Sequence, residues 1–295
     1  MIGSNLCQEL ARRESPIVQL VRSKPVAEGQ LHWNPTQNPA IPQTTPLEGS
    51  LAAIHLSGAN VAGHRWTEAY KREITASRVD STRALAMCLA KLRNPPSVLL
   101  VASATGIYGN RGDELLTEAA APGAGFLADV CRQWEAAAQP AVDAGIRVVH
   151  LRFGVVLGSG HGALEKMLPI FRLGLGGKLG NGRQWMSWIG LTDVIAAILF
   201  ALDTPSLTGP VNLTSPNPVT NAEFTRALGR QLRRPAAMAV PAFALRFALG
   251  QMADETVLTS ARAVPGKLQS ARFAFANPTI EEALAAALSP TNNAR

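Results

Sequence analysis

Residues 96–109 read PSVLLVASATGIYG, and the rest of the chain arranges itself around them. The unbroken apolar run fits a strand buried on both faces of a parallel sheet. It ends in small and hydroxyl-bearing residues instead of a polar turn. Open α/β sheets gather their chemistry at the carboxyl ends of such strands. Ser103, Thr105 and Tyr108 would be delivered there together, with Gly106 and Gly109 letting a ligand approach the backbone. A β-turn that closes a core strand is the alternative reading of the same residues.

Working outward, the pattern alternates. Upstream, Gly3–Arg13 reads as a helix, Ile17–Val21, Leu31–Trp33 and Leu51–Leu56 as short strands, and Thr67 to Leu92 as a long helix that Asn94-Pro95-Pro96 ends. Downstream come a helix over Phe126–Ala144 and a strand over Arg147–Phe153. Strand and helix in turn are the signature of a doubly wound parallel sheet. Beyond Gly162 the rhythm changes, with a glycine-rich stretch at Gly174–Gly182 and a helix over Leu191–Leu202. Gly209–Leu213 reads as a late strand, Thr220 with Glu223 as a capping box for a helix to Leu232, and Pro241–Leu249 as a helix. Arg272–Phe275 reads as a strand and Thr279–Leu288 as a closing helix. The expected division is residues 1–161 as a nucleotide-binding α/β domain and residues 162–295 as a mixed region. The second carries substrate-cleft segments, late sheet elements and a smaller C-terminal domain.

Composition narrows the function classes. The chain of 295 residues is 47% hydrophobic and 17% charged, a globular balance, and at this length one large core with an appendage is the expectation. No stretch approaches the roughly 18 apolar residues of a membrane span. The first residues carry no signal-peptide pattern. Cys7, Cys88 and Cys131 are odd in number and widely spaced, so neither a disulfide framework nor a metal site is expected, and a cytoplasmic home follows. The formal charge of +7 is scattered, apart from Arg230, Arg233 and Arg234, and aromatics are only 5%. A phosphate-bearing small molecule therefore fits better than nucleic acid or a membrane as the partner. The sequence leaves the oligomeric state open.

Several stretches, LSGANVAGHRW, SATGIYGNRGDE, RQWEAAA, LRFGVVLGSGHGALEKMLPIFRLGLGG and GNGRQWMSWIGLTDV, occur here in one order. In that order the chain resembles the extended, epimerase-like short-chain dehydrogenase/reductases, the NAD(P)-dependent epimerase/dehydratase-like family. VPAFALRFALGQ and ARAVPGKLQSARFAF resemble the small C-terminal domain of an atypical branch of that family. The resemblance covers essentially the whole chain. It implies a Rossmann-like doubly wound sheet, a smaller C-terminal substrate or cap domain, and NADP as cofactor. Family members bind the pyrophosphate on a glycine-rich turn after the first strand. Here only Ile2-Gly3 of that turn is present, and the first strand is missing. Codons upstream of Met1 are expected to encode them. Without that strand its two neighbours would be left unpaired and the first helix would have no sheet to cover.

The resemblance also assigns candidate sites. For the cofactor these are Gly3 at the pyrophosphate, Arg22 and Ser23 after the second strand, and Leu56, Ser57 and Gly58 under the adenine-side ribose. Glu73 and Arg78 follow on the next helix, and Val156 lies at the nicotinamide end. A cation at position 22, with Lys24 beside it, favours the extra phosphate of NADP over the ribose hydroxyl of NAD. Surface ion pairing is the alternative for Glu73 and Arg78. For catalysis the candidates are Ser103, matched to the family's hydrogen-bonding serine, and Tyr108. The family's tyrosine and lysine, one helical turn apart, fall on Leu127 and Cys131. Tyr108 is then either a replacement phenol or a packing residue, and Gly190 stands where close relatives carry histidine. Two functions follow. One is an NADP-dependent oxidoreductase or epimerase acting on a small hydroxyl- or carbonyl-bearing substrate. The other is an NADP-binding sensor or scaffold without turnover.

Overall fold

The computed structural model describes residues 1–160 and 162–289. The alternating pattern becomes α1 (Ile2–Arg12), β1 (Gln19–Val21), β2 (Gln30–His32), β3 (Ala52–His55), α2 (Glu68–Ala90), β4 (Val98–Ala104) and β5 (Leu115–Leu116). Then come α3 (Phe126–Ala136), α4 (Gln139–Asp143), β6 (Arg147–Phe153) and β7 (Val155–Leu157). The later half supplies α5 (Gly162–Arg172), β8 (Gly177–Leu179), β9 (Trp185–Met186), β10 (Trp188–Gly190), α6 (Leu191–Asp203) and β11 (Gly209–Leu213). It continues with β12 (Val219–Thr220), α7 (Asn221–Leu232), β13 (Met238–Val240), α8 (Ala242–Leu249), β14 (Arg262–Ala263), α9 (Gly266–Ser270) and α10 (Ile280–Leu288).

Four strands form one parallel sheet in the order β11-β6-β4-β3, with β4 and β6 in the middle. Both faces of the middle strands are covered, which is why their sequences are apolar runs and do not alternate. Leu100, Val149, Leu151 and Val211 pack with α6 on one face. Leu99, Val101 and Val148 pack with Leu85, Trp134 and Ala141, from α2, α3 and α4, on the other. A fully buried side chain such as Leu100 contributes roughly 1.5–3 kcal/mol in this setting. Long α2 begins where the Thr67 hydroxyl accepts the Tyr70 N–H, and it ends ahead of the two prolines that launch β4. The single helix expected over 126–144 is instead two. Pro140 lacks the N–H that would continue the ladder, and the chain turns through Ala137 and Ala138 between α3 and α4.

Among the described residues β3 pairs only with β4, while β1 and β2 form a separate parallel pair. The sequence reading leaves the first helix without the sheet strand it would cover, and in the structure the helix packs on other neighbours. Ile2, Leu6 and Leu10 pack into the core cluster that holds α6 and β4, so α1 is anchored by its helical neighbour. The strand expected at Arg272–Phe275 is absent. Phe273 packs against Phe200 and Phe275 at centroid distances of 5.3 and 4.8 Å, so aromatic contacts hold this segment without a hydrogen-bonded ladder. The Thr220–Glu223 capping box is formed as read, with Glu223 reaching back to the Thr220 N–H at 2.7 Å. No helix among the described residues is long and apolar enough to cross a membrane.

Candidate functional site

Three strands each place one polar residue next to last. Ser103 in β4, Arg152 in β6 and Asn212 in β11 are register partners, so they form a polar row across one face of the sheet at its carboxyl end. Helix α3 lies over that row because Ala128, Val130, Cys131 and Trp134 give it an apolar face, and it brings Glu135 down onto the row. The Arg152 guanidinium donates to both Glu135 oxygens, at 2.8 Å from Nε and 2.9 Å from Nη2. The Ser103 hydroxyl donates to the same carboxylate at 2.7 Å. Tyr108, in the short helical turn after β4, accepts from Arg152 Nη1 at 3.0 Å and donates to Asn212 Oδ1 at 2.7 Å. The Asn212 N–H in turn reaches Glu118 at 3.0 Å. Burial favours the neutral carboxyl of Glu135. The hydrogen bonds and charge of Arg152 outweigh it and hold the carboxyl below its ordinary value. Burial likewise works against the Arg152 charge, but Glu135 raises its pKa.

This network fixes the two catalytic candidates. Ser103 is 2% exposed and its proton is given to Glu135, so direct contact with a substrate carbonyl requires that bond to open. Tyr108 is fully buried, burial pushes its phenol up, and its oxygen is used on both sides. The packing alternative describes it, and the replacement-phenol reading gives way because no face of the ring is open. Thr105, the third hydroxyl of the stretch, is partly exposed and makes no side-chain hydrogen bond among the described residues. The positions of the family's tyrosine and lysine are filled by Leu127, which approaches Gly106, and by the buried Cys131. Burial first, and the Glu135 charge second, push that thiol up to about 12.

The cofactor candidates fall into three groups. Leu56, Ser57 and Gly58 follow β3, and Arg78 from α2 lies beneath them. A Cβ on Gly58 would sit 3.1 Å from the Arg78 guanidinium carbon, Arg78 Nη2 donates to Ala59 O at 3.0 Å, and Ser77 holds the Ala59 N–H at 3.0 Å. Arg78 therefore shapes this loop from below, with its guanidinium 5.1 Å from the Trp134 ring. Gly3 lies in the first turn of α1 with nothing within 4 Å of a Cβ placed on it, and Val156 lies in β7, whose following turn meets Met1. A Cβ on Gly158 would meet Met1 Sδ at 3.3 Å, and one on Gly162 would lie 3.9 Å from both Met1 Cε and Val156 O. The first turns of α1 and α6 flank a cavity of about 390 Å³ lined by Ser4, Asn5, Gly158 and Thr192, and paired helix N-termini favour an anionic group there. Arg22 and Ser23 stand apart at the end of β1, exposed beside Lys24, and no carboxylate pairs with them among the described residues. Glu73 is exposed on α2 and is not brought to the other candidates.

Sequence reasoning missed the Glu135–Arg152 pair, Asn212 and Glu118. It also missed Glu255 in the C-terminal segment, which accepts the Leu127 N–H at 2.8 Å and so caps α3. Gly125, at φ +111, is strained for any other residue, and a Cβ there would lie 3.2 Å from the Glu255 carboxylate. The findable signal was a charged residue inside each apolar stretch: Arg152 within LRF and Glu135 on the packed helix.

The model of the NAD dependent epimerase/dehydratase family matches residues 1–213, and that of a domain of unknown function (DUF1731) matches residues 240–287. An epimerase family protein of Mycobacterium bovis is 44% identical over 284 residues, covering 96% of this chain and 93% of its own length. The human epimerase family protein SDR39U1, solved with NADPH, is 30% identical with a TM-score of 0.89 over 97% of this chain and 95% of that one. A nucleoside-diphosphate sugar epimerase of Corynebacterium glutamicum is 34% identical with a TM-score of 0.78 over 98% of this chain and 56% of that one.

Proposed function

The chain belongs to the NAD-dependent epimerase/dehydratase family, and from that premise we propose an NADP-dependent oxidoreductase or epimerase that acts on a small hydroxyl- or carbonyl-bearing substrate. The observation that carries the choice of NADP is the exposed, unpaired Arg22-Ser23-Lys24 turn at the carboxyl end of β1. Two cations and a hydroxyl there suit a 2′-phosphate through charge-assisted hydrogen bonds. The NADPH in the similar human protein supports the same choice. The loop Leu56–Gly58, shaped by Arg78, suits the adenine-side ribose, and the starts of α1 and α6 suit a pyrophosphate. Bound, the dinucleotide would supply hydride exchange. The chain's own part is to hold it and to orient the substrate.

For the substrate, the partly exposed Thr105 hydroxyl is the open donor at the end of β4. Ser103 acts behind it by fixing Glu135 and the turn. Calorimetry on the full chain tests the cofactor. NADP is expected to bind at least tenfold more tightly than NAD, and R22A to bring the two affinities together. Equal affinities in the parent protein refute the assignment. With a turned-over substrate in hand, S103A and T105A are each expected to lower turnover far more than NADP affinity. Parent-like turnover by both removes the site from the end of β4.

A further inference from the structure

Helix α8 has the sequence AFALRFAL, and none of its residues is buried. A helix of eight residues is marginal by itself in water and normally depends on packing an apolar face. Here the apolar face points outward. Phe243 and Phe247, one turn apart, are 74% and 85% exposed. The elements joined to α8 carry further exposed apolar side chains, Met238 among them. Met238 in β13 pairs with Gly177 of β8, and a Cβ on Gly180 would lie 3.9 Å from Ala242 at the start of α8. The turn after α5 packs Gly174 against Pro235 and leaves Leu173 and Leu175 exposed. With roughly 150–250 Å² for each phenylalanine, the five side chains offer on the order of 600 Å². That is at the top of what monomers expose and most of the roughly 800 Å² per partner of a stable complex.

We propose that this face is a self-association surface, covered by the same face of a second copy of this chain. Its chemistry is self-complementary. The one charge within α8, Arg246, is paired with Asp254 at 2.9 Å, so an isologous contact brings no unpaired charge of α8 against itself. Two phenylalanines at i and i+4 present a ridge that a two-fold-related copy can interlock with its own. The area is most of one half of a standard interface, so a second copy covers it with only a modest rim added. The +7 charge of each chain repels the other copy at long range, and salt screens that repulsion while leaving apolar burial intact. Association therefore strengthens as salt is added, the reverse of what an anionic lipid surface gives.

Sedimentation equilibrium on the full chain across the micromolar range, at low and at moderate salt, tests this. The expected result is a dimer tightened by salt and a monomeric F243E/F247E variant whose melting temperature and NADP affinity match those of the parent protein. If that variant unfolds, F247S serves in its place and is expected to weaken dimerisation at least tenfold. A parent protein that stays monomeric, a dimer that survives both variants, dissociation on adding salt, or monomers that co-sediment with phosphatidylglycerol vesicles each overturn the proposal.

Discussion

Two clusters of charge sit at carboxyl ends of strands in this molecule, and they are built in opposite ways. At the ends of β4 and β6, Arg152 and Glu135 are nearly covered and every donor of the cluster points at a protein acceptor. At the end of β1, Arg22 and Lys24 are exposed, with no ion pair among the described residues. The first cluster satisfies itself and is framework. The second is hydrated and open to a ligand. Perturbed, buried ionisable groups invite a functional reading, yet in this fold the exposed cations are the better ligand candidates. The deeper network sets the positions of Ser103 and the turn that follows it.

The largest effect should come from opening the closed cluster. R152A strands the Glu135 carboxylate under α3 and is expected to cost about 3–5 kcal/mol of stability, measured by urea unfolding. The double variant E135L/R152M is expected to recover most of that loss. If R152A is nearly neutral, the network is not framework and the contrast collapses.

Acid should also act on the closed side first. His55, at the end of β3, is buried against Ser81 and the Trp33 ring, and burial brings its pKa down from 6.5 to about 4. The unfolded chain therefore binds a proton between those values that the folded chain refuses, so stability falls as the pH drops from 6.5 to about 4. The loss is about 3 kcal/mol, and H55Q should flatten it. The depressed Glu135 adds a further loss once the pH falls through its own lowered value. Denaturation midpoints taken from pH 6.5 down through the acid range check both effects, and a flat profile for the parent protein between 6.5 and about 4 contradicts the burial argument.

The smallest effect on stability belongs to the open cluster. R22A/K24A is expected to change ligand-free stability by no more than about 0.5 kcal/mol, while removing the preference for NADP. Loss of stability with preference intact would mean that the two clusters had been assigned the wrong way round.

Much of this was legible in one dimension. Apolar runs gave β4 and β6, prolines gave the end of α2, and Thr220 with Glu223 gave the start of α7, because each signal lies within a few residues of its effect. The closed cluster was not legible. Tyr108 and Asn212 are 104 positions apart and meet only because β11 pairs beside β6. The penultimate polar residue in each of three apolar strands was the trace that sequence carried, and register alone turns it into a row. Arg272–Phe275 misled for the reverse reason. Its apolar side chains are held by ring contacts, and periodicity cannot distinguish those from strand pairing. The cofactor side divided in the same way. The cationic turn after β1 could be read directly, whereas the place of Arg78 beneath Gly58 depends on how α2 crosses the sheet.

Glu255 carries a lesson for anyone recombining these proteins. The first turn of α3 owes its cap to a carboxylate supplied 128 positions later, from the segment matched by the separate C-terminal family model. This bond joins the two modules alongside the pairing of β14 with β5 and the bonds from Ser260 to Gly112 and from Lys267 to Glu118. A chimera that exchanges the C-terminal module between relatives inherits a frayed helix unless positions 125–127 and 255 travel together. Inheritance should therefore have kept those sites as one unit.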